Sequence, residues 1–262
     1  MKTLPLKIFY LLSSPLLTAF LLAYAALFVF FATIEASHMG IAQMQARYIE
    51  SWGALLHFSA FGKSLWAPIV CGKTIGAIAL VNIAFSAFRF TRRNIEGFGF
   101  AMVHMALALL IVSGFLQGKW RMEGMMPLRQ GEPSTQVKNI SGGDFPLATL
   151  PFSVELKKFE QQNYKGSSVA KDYSSLVVFR YEDKKIEKLI SMNEPASFGA
   201  WTFYQYDFSY GEGGGAISKL LAVKNPAGML PTVSIALILS GMIITYSAKT
   251  LKKSDEKIRN IS

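Results

Sequence analysis

Hydrophobic and polar positions are distributed very unevenly along this chain. An uncharged run from Ile8 to Ile34 is followed by apolar stretches from Trp66 to Phe88, Gly97 to Gln117 and Pro226 to Tyr246. A helix needs about 20 residues to cross a bilayer at about 1.5 Å of rise per residue, and each stretch offers that many or nearly so. The pattern therefore predicts four membrane spans, at about 8–34, 74–90, 97–117 and 226–246. Lys73 interrupts the second stretch, which moves the helix start beyond Gly72 with Thr74 in the first turn. The first run is longer than the roughly 7–15 apolar residues of a secretory signal, so it is read as an uncleaved span. Pro15, near its start, predicts a kink within one helix.

Between the third and fourth spans the texture changes. Segments 152–159, 175–182, 185–192, 201–208 and 219–224 alternate apolar and polar residues with a period near two, as a half-buried strand does. Phe152, Val154 and Leu156 are expected on one face, and Ser153, Glu155 and Lys157 on the other. Breakers at 141–146 (SGGDFP), 193–195 (NEP) and 211–215 (GEGGG) separate the strands. The expectation is a membrane α + β protein: four transmembrane helices and one extracytoplasmic antiparallel β domain, a small sandwich or barrel, at 118–225. The GEGGG run lacks the spacing of a phosphate-cradling loop and reads as a hairpin connection. The rest divides into an N-terminal membrane region, 1–117, with an outer loop at 35–73, and a fourth span with a basic tail, 226–262. Within the outer loop, residues 39–52 (MGIAQMQARYIESW) fit a short amphipathic helix lying on the membrane surface.

Charge sets the orientation. Residues 118–225 hold 26 of the 44 charged residues, yet their net charge is only +2, so the formal +10 resides elsewhere. It is carried by Lys2, Lys7, Arg89, Arg92, Arg93, Lys249, Lys252, Lys253, Lys257 and Arg259, at alternate ends of the spans. Short basic loops stay in the cytoplasm, which places both termini there and the β domain outside. Nucleic acid is discounted as a partner, because the large exposed segment is nearly neutral. A single cysteine, Cys71, excludes an internal disulfide or a thiolate zinc site and reads as a buried or interfacial thiol. No nucleophile–base pair, carboxylate dyad or HExxH motif is present, which argues against an autonomous hydrolase.

Candidate chemistry narrows to one side chain. Of three histidines, His38 and His57 fall in the outer loop and His104 falls inside span three. An ionisable group within a span is costly and is by default a functional candidate. His104 lies seven residues into its helix, roughly 10 Å deep at about 1.5 Å per residue. It projects from the small-residue stripe Gly97, Ala101 and Ala108, which admits either a flat macrocycle or a close neighbouring helix. Ligation and a hydrogen bond to a neighbouring helix are both open readings. A b-type haem usually takes two axial ligands, and no second intramembrane histidine exists here. Met102 and Met105 point to other faces and read as packing. Gly72 and Gly76 form a GxxxG that reads as helix packing, and Asn82 is expected to bond an adjacent helix.

Five segments carry a family resemblance: GIAQMQARYIESW (40–52), VHMALALLIVSGFL (103–116), MMPLRQGE (125–132), NEPASFGAWTFYQYDFSY (193–210) and AVKNPAG (222–228). In order and placement they resemble the ResB-like (CcsB) family of system II cytochrome c biogenesis, over nearly the whole chain. The resemblance implies a multi-pass protein of the bacterial inner membrane that works with a CcsA-type partner. Together they would carry reduced haem across the membrane and present it to apocytochrome c. It also implies that His104 is the family's intramembrane histidine, binding transient b-type haem shared with the partner. The tryptophan-rich WWD motif of that partner is absent, so the sequence reads as the ResB-like half, an assembly factor and not the bond-forming enzyme. Two other readings exist: a membrane scaffold or sensor with a protein-binding β domain, and a redox cytochrome b subunit. The latter needs a second histidine.

Overall fold

The computed structural model describes residues 3–60, 63–91, 93–139, 148–167, 169–211 and 214–259. The chain divides into a helical unit, Met1–Lys119 with Ala227–Ser262, and a strand unit, Trp120–Pro226.

The helical unit begins with α1 (Thr3–Leu12) and α2 (Pro15–Met39), so the first apolar run is two helices and not one kinked span. Ser14 takes an extended conformation and its hydroxyl accepts a hydrogen bond from Leu16 N at 3.2 Å. Proline at the first helical position loses no hydrogen bond, so Pro15 starts a helix here instead of bending one. The loose carbonyls of the break are taken up by Asn82, which is 1% exposed. Its Nδ2 donates to Leu12 O (2.7 Å) and Ser14 O (3.3 Å), and its Oδ1 accepts from Thr18 Oγ1 (2.6 Å). Asn82 thus bonds its neighbouring helix as expected, because a buried amide left unpaired would be costly.

After α2 the chain makes a single turn, α3 (Ile41–Met44), and then a π-helical turn, Gln45–Ile49. This replaces the amphipathic surface helix expected over 39–52. Tyr48 is 2% exposed and packs with Phe28, Ala32, Cys71 and Ile75, so the segment is drawn into the unit's core. A two-stranded hairpin follows, β1 (Gly53–Ala60) and β2 (Lys63–Val70), pairing Gly53 with Val70 and His57 with Trp66. It occupies what reads in sequence as plain outer loop and the start of an apolar stretch. Short apolar runs do not distinguish strand from helix by periodicity.

Cys71, fully buried, stands at the N-cap position of α4 (Gly72–Phe90), so the second apolar helix starts well after Trp66 but two residues before the expected 74, with Lys73 in its first turn. Thr74 lies in its first turn and its hydroxyl donates to Trp52 O at 2.6 Å. The two glycines of the GxxxG meet different partners. A Cβ on Gly72 would run into the backbone of Ile49, and one on Gly76 would touch the Phe115 ring at 3.3 Å. Helix α5 (Ile95–Trp120) overruns the expected 97–117 at both ends, and α6 (Met229–Arg259) starts three residues later than expected. Backbones of α5 and α6 come close at Gly99 and Gly241: a Cβ on Gly99 would lie 2.7 Å from Gly241 O, and one on Gly241 would lie 2.8 Å from Gly99 O. Pro15–Met39, Gly72–Phe90, Ile95–Trp120 and Met229–Lys253 are each long and apolar enough to cross a membrane. The chain is a multi-pass membrane protein by this composition.

The strand unit is one antiparallel eight-stranded sheet. Its strands are β3 (Met122–Arg129), β4 (Pro133–Asn139), β5 (Ala148–Asn163), β6 (Ala170–Tyr181), β7 (Lys184–Ser191), β8 (Ala196–Phe198), β9 (Trp201–Tyr210) and β10 (Ala216–Lys224). In space they run β7-β6-β5-β4-β3-β10-β9-β8. The edge strands β7 and β8 are consecutive, and the sheet curls until they meet: Ser191 bridges to Glu194, and Lys188 Nζ donates to Ser197 O at 2.6 Å. The curl encloses a core that includes Met126, Leu128, Val154, Leu156, Val177, Phe179, Phe203 and Leu220.

All five expected strands are present, and β3, β4 and β8 join them. The expected alternation holds for Phe152, Val154 and Leu156, which are buried. Opposite them, Glu155 pairs with Arg180 and Lys157 with Glu187. A bulge between Leu156 and Lys158 then shifts the phase, which turns Phe159 back toward the core. β9 and β10 pair directly, and at their connecting end Gly211 N donates to Gly215 O at 2.9 Å; residues 212–213 of the GEGGG run lie outside the described residues. The 141–146 breaker lies outside the described residues. Met122 pairs with Lys224, so the strand directly after α5 and the strand directly before α6 lie side by side.

Candidate functional site

A cavity of about 810 Å³ opens within the helical unit, inside the roughly 300–1,000 Å³ range of small-molecule sites. Four helices wall it: α2 through Pro15, Thr18 and Leu22, α4 through Ser86 and Arg89, α5 through Gly97, Phe100 and His104, and α6 through Thr245 and Lys249. Gly97, Phe100 and His104 stand at offsets of three and seven along α5. That row differs from the one expected through Ala101 and Ala108, because Ala101 lines a second, shallower cavity with Phe98.

His104 is half-buried, and its Nδ1 lies 2.9 Å from the carbonyl oxygen of Phe100. A carbonyl only accepts, so Nδ1 carries the proton in this bond, and in the neutral imidazole that leaves the lone pair on Nε2. Nε2 has no hydrogen-bond partner among the described residues. The Phe100 ring lies against the imidazole, with centroids 4.0 Å apart. An imidazole fixed through one nitrogen and open at the other is the arrangement that metal-ligating histidines use. Met102 and Met105 do not line this cavity.

Among the described residues there is no group of three or more His, Cys, Asp or Glu that could hold a bare metal ion. One imidazole serves a metal well only when the other donors arrive with it, as in a metal macrocycle. The cavity's mix of aromatic and aliphatic wall, one free imidazole nitrogen and two cations fits such a ligand. The first cation, Arg89, donates from Nη1 to Ser13 Oγ at 3.1 Å and stacks on Tyr10 and Phe90, with its carbon 4.6 and 4.8 Å from the ring centroids. The second, Lys249, lies 3.7 Å from Glu96. In the sequence Arg89 and Lys249 stand out only as orientation charges, and Phe100 does not stand out at all. Phe100's place four residues before His104, on the same helix face, was the available signal.

His38 is exposed in the last turn of α2 and does not line the cavity, and His57 lies in β1.

The ResB-like family model matches residues 91–249, taking in α5, the strand unit and most of α6. The 40–52 segment lies outside that range. The chain is 31% identical over 96 residues to Protein NrfI of Wolinella succinogenes, a stretch that is 36% of this chain and 10% of that protein. It is 29% identical over 112 residues to the chloroplastic cytochrome c biogenesis protein CCS1 of Arabidopsis thaliana, covering 41% and 20% of the two chains. The protein of the same name from Oryza sativa subsp. japonica is 26% identical over 149 residues, covering 53% and 24%. The chain thus spans under a quarter of the length of these relatives. Among solved structures, the cytochrome c haem lyase CcmF aligns at 12% identity with a TM-score of 0.38, over 68% of this chain and 31% of that one. With well over half of its residues matched by the family model, His104 among them, the chain belongs to the ResB-like family.

Proposed function

We propose that this protein is the haem-handling component of a c-type cytochrome assembly system in the bacterial inner membrane. In this reading it receives b-type haem in the four-helix cavity, holds the iron from one side through His104, and passes haem toward apocytochrome c. A CcsA-type partner supplies the second axial ligand, which this chain lacks within its spans. The observation that carries the reading is the free Nε2 of His104, facing a cavity of macrocycle-compatible size beside Arg89 and Lys249. Membership of the ResB-like family, and relatives named for cytochrome c biogenesis, support it.

His104 acts as the ligand, its Nδ1–H bond to Phe100 O fixing tautomer and ring plane. Phe100 supplies an aromatic wall. Both termini are assigned to the cytoplasm because basic residues gather at the end of α4, the start of α5 and the tail of α6. The strand unit then stands outside, where apocytochrome receives haem.

The chain co-purified with its partner carries haem with a Soret band, and His104→Ala or His104→Gly loses it together with c-type cytochrome maturation. Unchanged haem content and maturation in those variants overturn the ligand role and favour a cofactor-free scaffold.

A further inference from the structure

The cavity's charge is arranged asymmetrically. Glu96 sits opposite Lys249, whereas Arg89 has no carboxylate within ion-pair distance among the described residues. Its guanidinium is nonetheless held in place. Ser13 Oγ, on a residue that is fully buried, accepts from Nη1, and two aromatic rings flank the charged carbon. Ser13 stands in the break between α1 and α2, so the irregular backbone there presents the hydroxyl that orients this side chain. Guanidinium carries five N–H donors in a fork that matches a carboxylate, and Ser13 uses one of its nitrogens. A positioned cation with no carboxylate partner among the described residues, lining the same cavity as a free imidazole nitrogen, is complementary to a ligand with an anionic edge and a metal centre.

We infer that Arg89 is the residue that reads the ionised carboxylates of the cavity's ligand, fixing which edge of a porphyrin faces the α4 end while His104 takes the metal. This rests on the haem reading above and adds to it an orientation and a selectivity: diacid porphyrins over uncharged ones. The same guanidinium chemistry would serve a phospholipid phosphate, and the experiment separates the two sources.

The full chain is reconstituted in phosphatidylcholine nanodiscs and titrated with haemin and with haemin dimethyl ester, following the Soret band. The wild type is expected to bind the diacid at least about tenfold more tightly than the ester. Arg89→Gln brings the diacid affinity down toward that of the ester, and Arg89→Lys retains part of the preference. The wild-type comparison needs no variant, and monodisperse elution with a wild-type circular dichroism spectrum checks that the variants are folded. Equal affinity of the wild type for both porphyrins overturns the inference, as does an undiminished preference in Arg89→Gln. Repeating the titration with one-third phosphatidylglycerol is expected to leave the preference intact. Its loss there assigns Arg89 to lipid phosphate and overturns the inference. If the wild type binds neither porphyrin even with its CcsA-type partner in the disc, the haem reading itself falls.

Discussion

The Phe100 ring and the His104 imidazole lie 4.0 Å apart, and the carbonyl of Phe100 holds Nδ1 of His104 at 2.9 Å. One residue therefore contributes both the backbone atom that orients the imidazole and the ring that braces it. Phe100→Ala keeps the first and loses the second. Aromatic contacts are worth about 0.5–1.5 kcal/mol, so porphyrin affinity should fall by up to about tenfold with histidine ligation retained. A Soret titration measures the affinity, and magnetic circular dichroism identifies the ligand. Loss of the histidine signature would show that the ring fixes the ligand and not merely the wall.

Close approach of α5 and α6 makes a sharp prediction about glycine. Gly99→Ala forces a methyl group onto Gly241 O, while a Cβ on Gly114, on the same helix, would meet nothing within 4 Å. The first substitution should destabilise by about 1–3 kcal/mol, as overpacking does, and Gly114→Ala should be neutral or slightly stabilising. Steric-trap or thermal unfolding in detergent compares the two. Equal effects would mean that the two backbones are not in contact.

Asn82 offers a second stability test. Removing the amide takes the side-chain donor from Leu12 O and one hydrogen bond each from Ser14 O and the Thr18 hydroxyl, which still bond each other, and Asn82→Ala should cost about 1–3 kcal/mol. A double-mutant cycle with Thr18→Val should show coupling, because the two side chains share a hydrogen bond.

In the strand unit, Tyr173 and Asp207 set opposite pH dependences. Burial, then the nearby Asp207 and Asp172, push the Tyr173 phenol above its usual value near 10. Its O–H donates to Tyr206 O at 3.0 Å. The corresponding stability is complete below the unfolded value and is lost as pH rises through the higher folded one. Asp207 is held below 3.8 by its hydrogen bond with Lys219 and then by the N–H of Phe208. Its contribution is present above the unfolded value and is lost as pH falls through the lower folded one. Half-exposed, it is worth no more than about 1 kcal/mol. Asp207→Asn should flatten the acid limb of stability and move Tyr173 back toward 10. Unfolding curves across pH and the ultraviolet difference titration against Tyr173→Phe read both effects.

Long-range regularity was legible in sequence, and local irregularity was not. Four apolar runs announced four long helices, and the alternation at Phe152, Val154 and Leu156 announced a buried sheet face. His104 stood out because hydrocarbon penalises ionisable groups. The break at Ser13 and Ser14 was hidden, because proline is compatible with either a kink or a helix start, and Asn82, nearly 70 residues away, supports the outcome. The β1–β2 hairpin and the π turn depend on contacts with Cys71 and Ile75 that periodicity does not carry. Arg89 was visible as charge. Its place beside the imidazole comes only from the way α4 and α5 pack.

The pairing of Met122 with Lys224 has a consequence for biosynthesis. At about 5–20 residues per second, a ribosome needs several seconds or more after finishing β3 to deliver the strand that zips onto it. Throughout that interval the nascent β3, with Met126 and Leu128 destined for the interior, lacks its β10 neighbour. Chaperone demand should therefore peak before α6 emerges, and truncations that remove β10 should be degraded even though seven of the eight strands have been synthesised.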